Sequence, residues 1–310
     1  MGLSKHYVHP WTMKRTIGLD ALDLEIAPGE VMGLLGPNGA GKTTTLKLLT
    51  GLIKPTAGRA WFFGVPIEQT ASRARLGFLP EQPYFYDYLS GLEYLELAAG
   101  LSGLGGREGS DRARHWLGRV GLGDRPSLRL RKYSKGMLQR LGLAAALVHG
   151  PELLILDEPM SGLDPFGRRD VRELILEQKL RGVTVLFSSH IIPDVESLCD
   201  RVAIVLGGRL RRSGSLAEMT RASVRQVTIR CAGPAILEWP AAWGDAVTRR
   251  ESAGDTELVL RDPARLDAVL ALLVQQRVRV ESVVPERATL ETLFLETAES
   301  PAAPGVTRSA

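Results

Sequence analysis

The chain has 310 residues, 44% hydrophobic and 24% charged, enough for one large globular domain and a small one. Its formal net charge of +4 is spread over many arginines, which gives no reason to expect a nucleic-acid partner. No apolar run approaches the ~20 residues of a membrane-spanning helix, and the amino terminus lacks the long apolar stretch of a secretory signal.

Two cysteines, Cys199 and Cys231, lie far apart, which fits a reduced compartment rather than a disulfide or a metal pair. A cytoplasmic chain is expected, reaching any membrane through a partner.

From residue 1 to about 220, short β-like runs alternate with helical patterns. This predicts an α/β domain around a largely parallel sheet. Residues 31–35 read as a buried strand that runs into GPNGAGKT, Gly36 to Thr43. A helix over 42–52 follows, with Leu46, Leu49 and Ile53 at helical spacing and Pro55 just beyond. The segment LGFLPEQPYFYDYLS then brings Glu81, Gln82 and the aromatic cluster Tyr84, Phe85, Tyr86 and Tyr88. The Gly-rich stretch 101–109 reads as a loop, and 110–120 as a helix ending at Gly121. With SKGM, Ser134 to Met137, these make a helical subdomain of about 83–150 inserted into the core. LLILDEP reads as a strand over 153–156 that delivers Asp157 at its end; 184–187 and 202–206 are further strands.

Beyond about 221 the texture changes. Strands over 225–231, 256–261 and 278–284 accompany an amphipathic helix over 263–276. A last helix over 289–297 carries Leu290, Leu293 and Phe294 on one face. Together these predict a small α+β domain, 221–297. The tail 298–310 is rich in Pro, Ala, Gly and Ser and is expected to be disordered.

GPNGAGKT meets every fixed position of the phosphate-loop pattern GxxxxGK[ST]. Gly36, Pro37, Asn38, Gly39, Ala40 and Gly41 form the loop. Its glycines let backbone N–H groups turn toward one anion, and the following helix adds its dipole. Lys42 is expected to reach the β- and γ-phosphates of ATP, Thr43 to bind Mg²⁺, and Thr44 to add a phosphate hydrogen bond. Asp157 is expected to hold Mg²⁺ directly or through water. Glu158 is placed to polarise the attacking water or to act as its general base.

These motifs, in this order, resemble the nucleotide-binding subunit of ABC transporters over residues 1 to about 220. YSKGMLQR resembles the family signature LSGGQ. The resemblance implies that Ser134, Lys135, Gly136 and Met137 cover the γ-phosphate of an ATP held by the opposite subunit. Ser134 would act through its hydroxyl and Gly136 through its N–H, while Lys135 and Met137 replace the usual Gly and Gln. The run from Ser161 through Gly162 and Leu163 to Asp164 resembles the D-loop, which couples the two sites across the dimer seam. His190, after Ser188 and Ser189, resembles the switch histidine that contacts the γ-phosphate and orients Glu158 and water. Tyr7 stands where the family stacks an aromatic on adenine; the intervening segment 9–16 makes Trp11 a rival. Glu81 stands where the family most often has Gln, with Gln82 beside it, and either is a candidate to approach Mg²⁺ and the water. The aromatic cluster reads either as packing of the helical subdomain or as a groove for a short helix of a membrane partner.

The SKGM form and LETLF, starting at Leu290, resemble ATPases of exporters for drugs, lipids or polysaccharides, or of related permease complexes. The resulting expectation is an ATPase that pairs with a second ATPase subunit, as a homodimer, around two Mg·ATP. It would drive a separate membrane permease from the cytoplasmic face of the cell membrane. Ribosome-acting relatives carry two cassettes in one chain. Chromosome-maintenance relatives insert a long coiled coil, and repair relatives carry zinc-binding Cys clusters. This sequence has none of these features.

Overall fold

A computed structural model describes residues 1–8, 10–220, 226–233, 243, 246–252, 255–286 and 289–299. His9, Arg225 and 300–310, which belong to segments interpreted above, lie outside the described residues. The chain divides into two compact units, Met1–Leu216 and Ala217–Ala310.

The first unit opens with an antiparallel pair, β1 (Leu3–Val8) and β2 (Arg15–Leu22). Next comes β3 (Val31–Leu35), buried at all five residues. α1 (Lys42–Leu49) follows the glycine loop. It stops at Leu49 rather than at 52, because Gly51, at φ +73°, turns the chain away after Thr50. A small hairpin of β4 (Trp61–Phe62) and β5 (Val65–Pro66) and a single turn, α2 (Thr70–Arg73), lead to β6 (Leu76–Leu79).

Three helices then pack on one another: α3 (Gly91–Leu101), α4 (Gly106–Arg119) and α5 (Lys135–Leu147). The expected loop over 101–109 is shorter than the glycine content implied, since α4 already begins at Gly106. Gly109 explains the difference. A Cβ there would lie 2.3 Å from the Leu104 carbonyl oxygen, so this glycine serves close packing of α4 rather than a turn. Ser90 and Glu93 close a reciprocal capping box at the start of α3.

β7 (Leu153–Asp157), α6 (Pro165–Leu180), β8 (Thr184–Ser189), α7 (Ile192–Leu198), β9 (Arg201–Leu206) and β10 (Arg209–Ser215) complete this unit. The sheet order is β10-β9-β3-β8-β7-β6, parallel except for β10. β3, β7 and β8 are buried along their whole length, as near-continuous apolar runs are when helices cover both faces. Met32, Leu34, Ile155, Leu186 and Val205 meet Leu46 of α1 in one core. Burying each such side chain is worth about 1.5–3 kcal/mol, so this core fixes the heights of the strand ends that carry the site.

α8 (Leu216–Thr220) leads into the second unit. That unit has a four-stranded antiparallel sheet of β11 (Gln226–Cys231), β12 (Val247–Ser252), β13 (Asp255–Leu260) and β14 (Val280–Glu286), in the order β12-β13-β11-β14. After a 3₁₀ turn, Pro263–Arg265, α9 (Leu266–Gln275) packs Val269 and Leu273 against Val227, Ile229, Leu258 and Leu260. β14 runs through Pro285, further than the expected end at 284, and this is tolerated because β14 is an edge strand. α10 (Leu290–Glu299) extends past the expected start of the tail, so Ala298 and Glu299 are helical.

Candidate functional site

Parallel pairing brings the carboxyl ends of β3, β7 and β8 to one edge of the sheet. Leu34 and Asp157 both register with Ser188, and Leu35 with Ser189. The strand ends therefore hold the glycine loop, the two acids and His190 at one edge, where open α/β sheets present their sites.

The loop is built for close approach. A Cβ on Gly36 would meet the Val205 carbonyl oxygen at 2.4 Å, and Gly41 sits at φ +106° with its Cβ position 2.6 Å from the Gly18 oxygen. Only glycine fits both constraints. Pro37, Asn38 and Gly39 are exposed, while Ala40 is buried. Gly41 caps α1 without any side-chain hydrogen bond, which leaves the first-turn N–H groups of Lys42, Thr43 and Thr44 without a side-chain cap. Uncapped donors at a helix amino terminus, next to an exposed glycine turn, fit a phosphate group.

The ammonium of Lys42 donates to the carbonyls of Gly36 at 2.6 Å and Pro37 at 3.2 Å, and lies 3.3 Å from Glu158 Oε1. On the other side, Glu158 Oε2 is 2.9 Å from Nδ1 of His190. Glu158 thus stands between a cation from the loop and a half-exposed imidazole, with its own side chain 9% exposed. Its backbone is strained: φ is +49°, unusual for a residue with a Cβ and frequent at functional positions.

Asp157 Oδ1 accepts from Thr43 Oγ1 at 3.2 Å and from Ser188 Oγ at 2.6 Å. The same Ser188 oxygen accepts the Glu158 N–H at 2.9 Å. Ser188 is fully buried and orients both acids, a role not assigned to it from the sequence. Its signal was weak: one hydroxyl inside an apolar strand, whose meaning depends on the register with β7. Among the described residues no cluster of three or more His, Cys, Asp or Glu forms a metal cage. The Thr43 hydroxyl and Asp157 carboxylate do suit Mg²⁺, which takes few protein ligands and fills the remaining positions from phosphate and water.

Ser134 caps α5, its hydroxyl accepting the Met137 N–H at 3.3 Å. Lys135 is exposed and its side chain lies along Gly162, where a Cβ would be 2.5 Å from Nζ; Gly136 faces Leu163. Gln139, buried on the next turn, donates to the Pro159 carbonyl at 3.0 Å. The start of α5 and the loop running from Glu158 to Asp164 are therefore packed together. Ser161 N–H donates to the Glu158 carbonyl at 3.0 Å, and Asp164 caps α6 through the Gly167 N–H at 2.7 Å.

Tyr7 packs its ring on Gly18, where a Cβ would meet the ring at 2.6 Å and the Thr44 methyl at 3.2 Å. Trp11 lies in the turn between β1 and β2, 90% exposed. Glu81 and Gln82 follow β6 at the same sheet edge, both exposed. Tyr84, Tyr86 and Tyr88 are exposed, whereas Phe85 is buried against Tyr94.

The chain is also similar to known proteins. The family model described as ABC transporter matches residues 19–161. An ABC transporter ATP-binding protein of Nostoc sp. is 49% identical over 211 residues, 67% of this chain but only 63% of that protein's length. The daunorubicin resistance ATP-binding protein DrrA3 of Streptomyces coeruleorubidus is 37% identical over 287 residues, covering 89% of this chain and 90% of that protein. Among solved structures, the ATP-binding cassette MJ0796, a dimer in a post-hydrolysis state bound to ADP and Pi, superposes with a TM-score of 0.65 at 26% identity, over 69% of this chain and 97% of that one. With the phosphate loop, the paired acids and these relatives in agreement, the chain belongs to the ABC transporter ATP-binding protein family, and its core is an ABC ATPase fold.

Proposed function

We propose that this chain is the ATP-hydrolysing motor of an ABC exporter, pairing with a second copy around two Mg·ATP and driving a separate membrane permease. The observation that carries this reading is the contact chain from Lys42 through Glu158 to His190, at 3.3 and 2.9 Å, beside Asp157 and Thr43. No group in that chain lacks a use in phosphoryl transfer. Lys42 and the uncapped turn of α1 bind the β- and γ-phosphates. Glu158 orients and deprotonates the attacking water, and His190 holds Glu158 and approaches the γ-phosphate. Thr43 and Asp157 would hold Mg²⁺, with Glu81 or Gln82 nearby; the ion, when bound, neutralises charge on the phosphate oxygens. Tyr7 would stack on adenine.

Ser134, Lys135, Gly136 and Met137 serve the partner's nucleotide, and the segment from Ser161 to Asp164 lines the seam. In this division of labour, residues 1–220 form the nucleotide-binding domain, with 83–150 as its helical arm, and 221–297 form an accessory domain. The exporter assignment draws on the drug-resistance relative. No helix among the described residues is long and apolar enough to cross a membrane. The permease of this reading is a second chain, at whose cytoplasmic face this one works.

Glu158→Gln tests the central role. It should retain ATP binding, slow turnover by about 10²–10³-fold, and accumulate an ATP-bound dimer by sedimentation. Turnover at the parent rate would overturn the assignment.

A further inference from the structure

One buried carboxylate near the site has no part in the chemistry above. Asp194, on the first turn of α7, is 3% exposed. It follows His190 by one short stretch of chain, and a narrow cleft joins it to Glu158, with Ser161, Phe187 and Ile191 in the wall. Its partner is Arg168, whose Nη2 stands 3.5 Å from Asp194 Oδ2. Arg168 belongs to the first turn of α6, and its N–H donates to the Asp164 carbonyl at 2.9 Å. The ion pair therefore ties the helix that follows the loop from Ser161 to Asp164 to the helix that follows His190.

A carboxylate in this place is costly. Burial raises its pKa most; the charges of Arg168 and then Arg172 oppose that, and the nearby Glu158 carboxylate raises it further. A buried ion pair contributes little net stability compared with apolar packing of the same volume, so stability alone does not account for it. What the pair does supply is directional: it fixes the approach of α7 to α6, and with it the position of His190 relative to Glu158.

We propose that Arg168 and Asp194 act as a positioning pair for hydrolysis, holding the imidazole of His190 against Glu158. The inference rests on the reading of Glu158 and His190 as the hydrolytic couple.

A double-mutant cycle on the full chain tests it, with steady-state ATPase and nucleotide binding measured for Asp194→Asn, Arg168→Gln and the double variant. Each single change should lower kcat by about tenfold with KM for ATP within about twofold, because sub-ångström misplacement of reacting groups affects the chemical step more than binding. The double variant should be no slower than either single one, since both remove the same contact. Asp194→Glu should recover part of the rate. Arg168 is 30% exposed, so Arg168→Gln reads the pair even if the buried change prevents folding. Single variants within about twofold of the parent kcat, or a double variant whose loss is the product of the single losses, would overturn the proposal. Glu158→Gln run alongside separates the two levels: if it too keeps the parent rate, the hydrolytic reading itself has failed, and if it alone is slow, only the positioning pair has.

Discussion

Ser188 shows how much of this site rests on one hydroxyl. It donates to Asp157 at 2.6 Å and accepts the Glu158 N–H at 2.9 Å, with no exposed surface. Ser188→Ala would leave a carboxylate oxygen and an N–H short of a partner in the interior, at a cost of about 1–3 kcal/mol. Denaturant unfolding should record that loss, and an unchanged midpoint would contradict the assigned role. Which residues meet was legible from the sequence where a motif carries them: Lys42 and Thr43 from GPNGAGKT, Asp157 and Glu158 from a strand ending in two acids. Ser188 and Asp194 were not, because each acts through a neighbour that strand register or helix packing supplies, and no one-dimensional spacing encodes that. Nor did the sequence foretell the positive φ of Glu158, a cost of ~1–3 kcal/mol that the surrounding contacts must offset.

Elements were read best where burial is total. β3, β7 and β8 are buried throughout and match the expected strands within two residues. Glycine misled the reading at the start of α4, where Gly109 serves packing and not a turn. β10 and β12 were missed because SGS and TRRES carry no apolar alternation; their pairing with β9 and β13 makes them strands. A pH prediction belongs at this scale. Half-buried His149, just after α5, lies 3.2 Å from the Leu76 carbonyl through Nε2. Burial lowers its pKa most, the Leu76 contact opposes this, and Arg112 lowers it further. The unfolded chain then binds the proton more readily than the folded one. His149 costs no stability above its unfolded pKa of about 6.5, and stability is lost as pH falls below that value. His149→Gln should flatten the fall in Tm between about pH 7.5 and 5.5. An identical slope in the variant and the parent would show that His149 does not titrate on unfolding.

At the scale of the whole molecule, one strand edge gathers Lys42, Asp157, Glu158 and His190, while the start of α5 meets the loop from Glu158 to Asp164 through Lys135, Gly136 and Gln139. A signature surface built this way has a use if a second copy brings its nucleotide to it. The two compact units divide after Leu216, where α/β alternation gives way to an antiparallel sheet. The pairing of copies is tested most directly by following ATPase rate per chain through serial dilution, with the oligomeric state measured at each concentration by sedimentation. The rate per chain should fall in step with the fraction of dimer. Monomers that hydrolyse ATP at the undiluted rate would contradict the account.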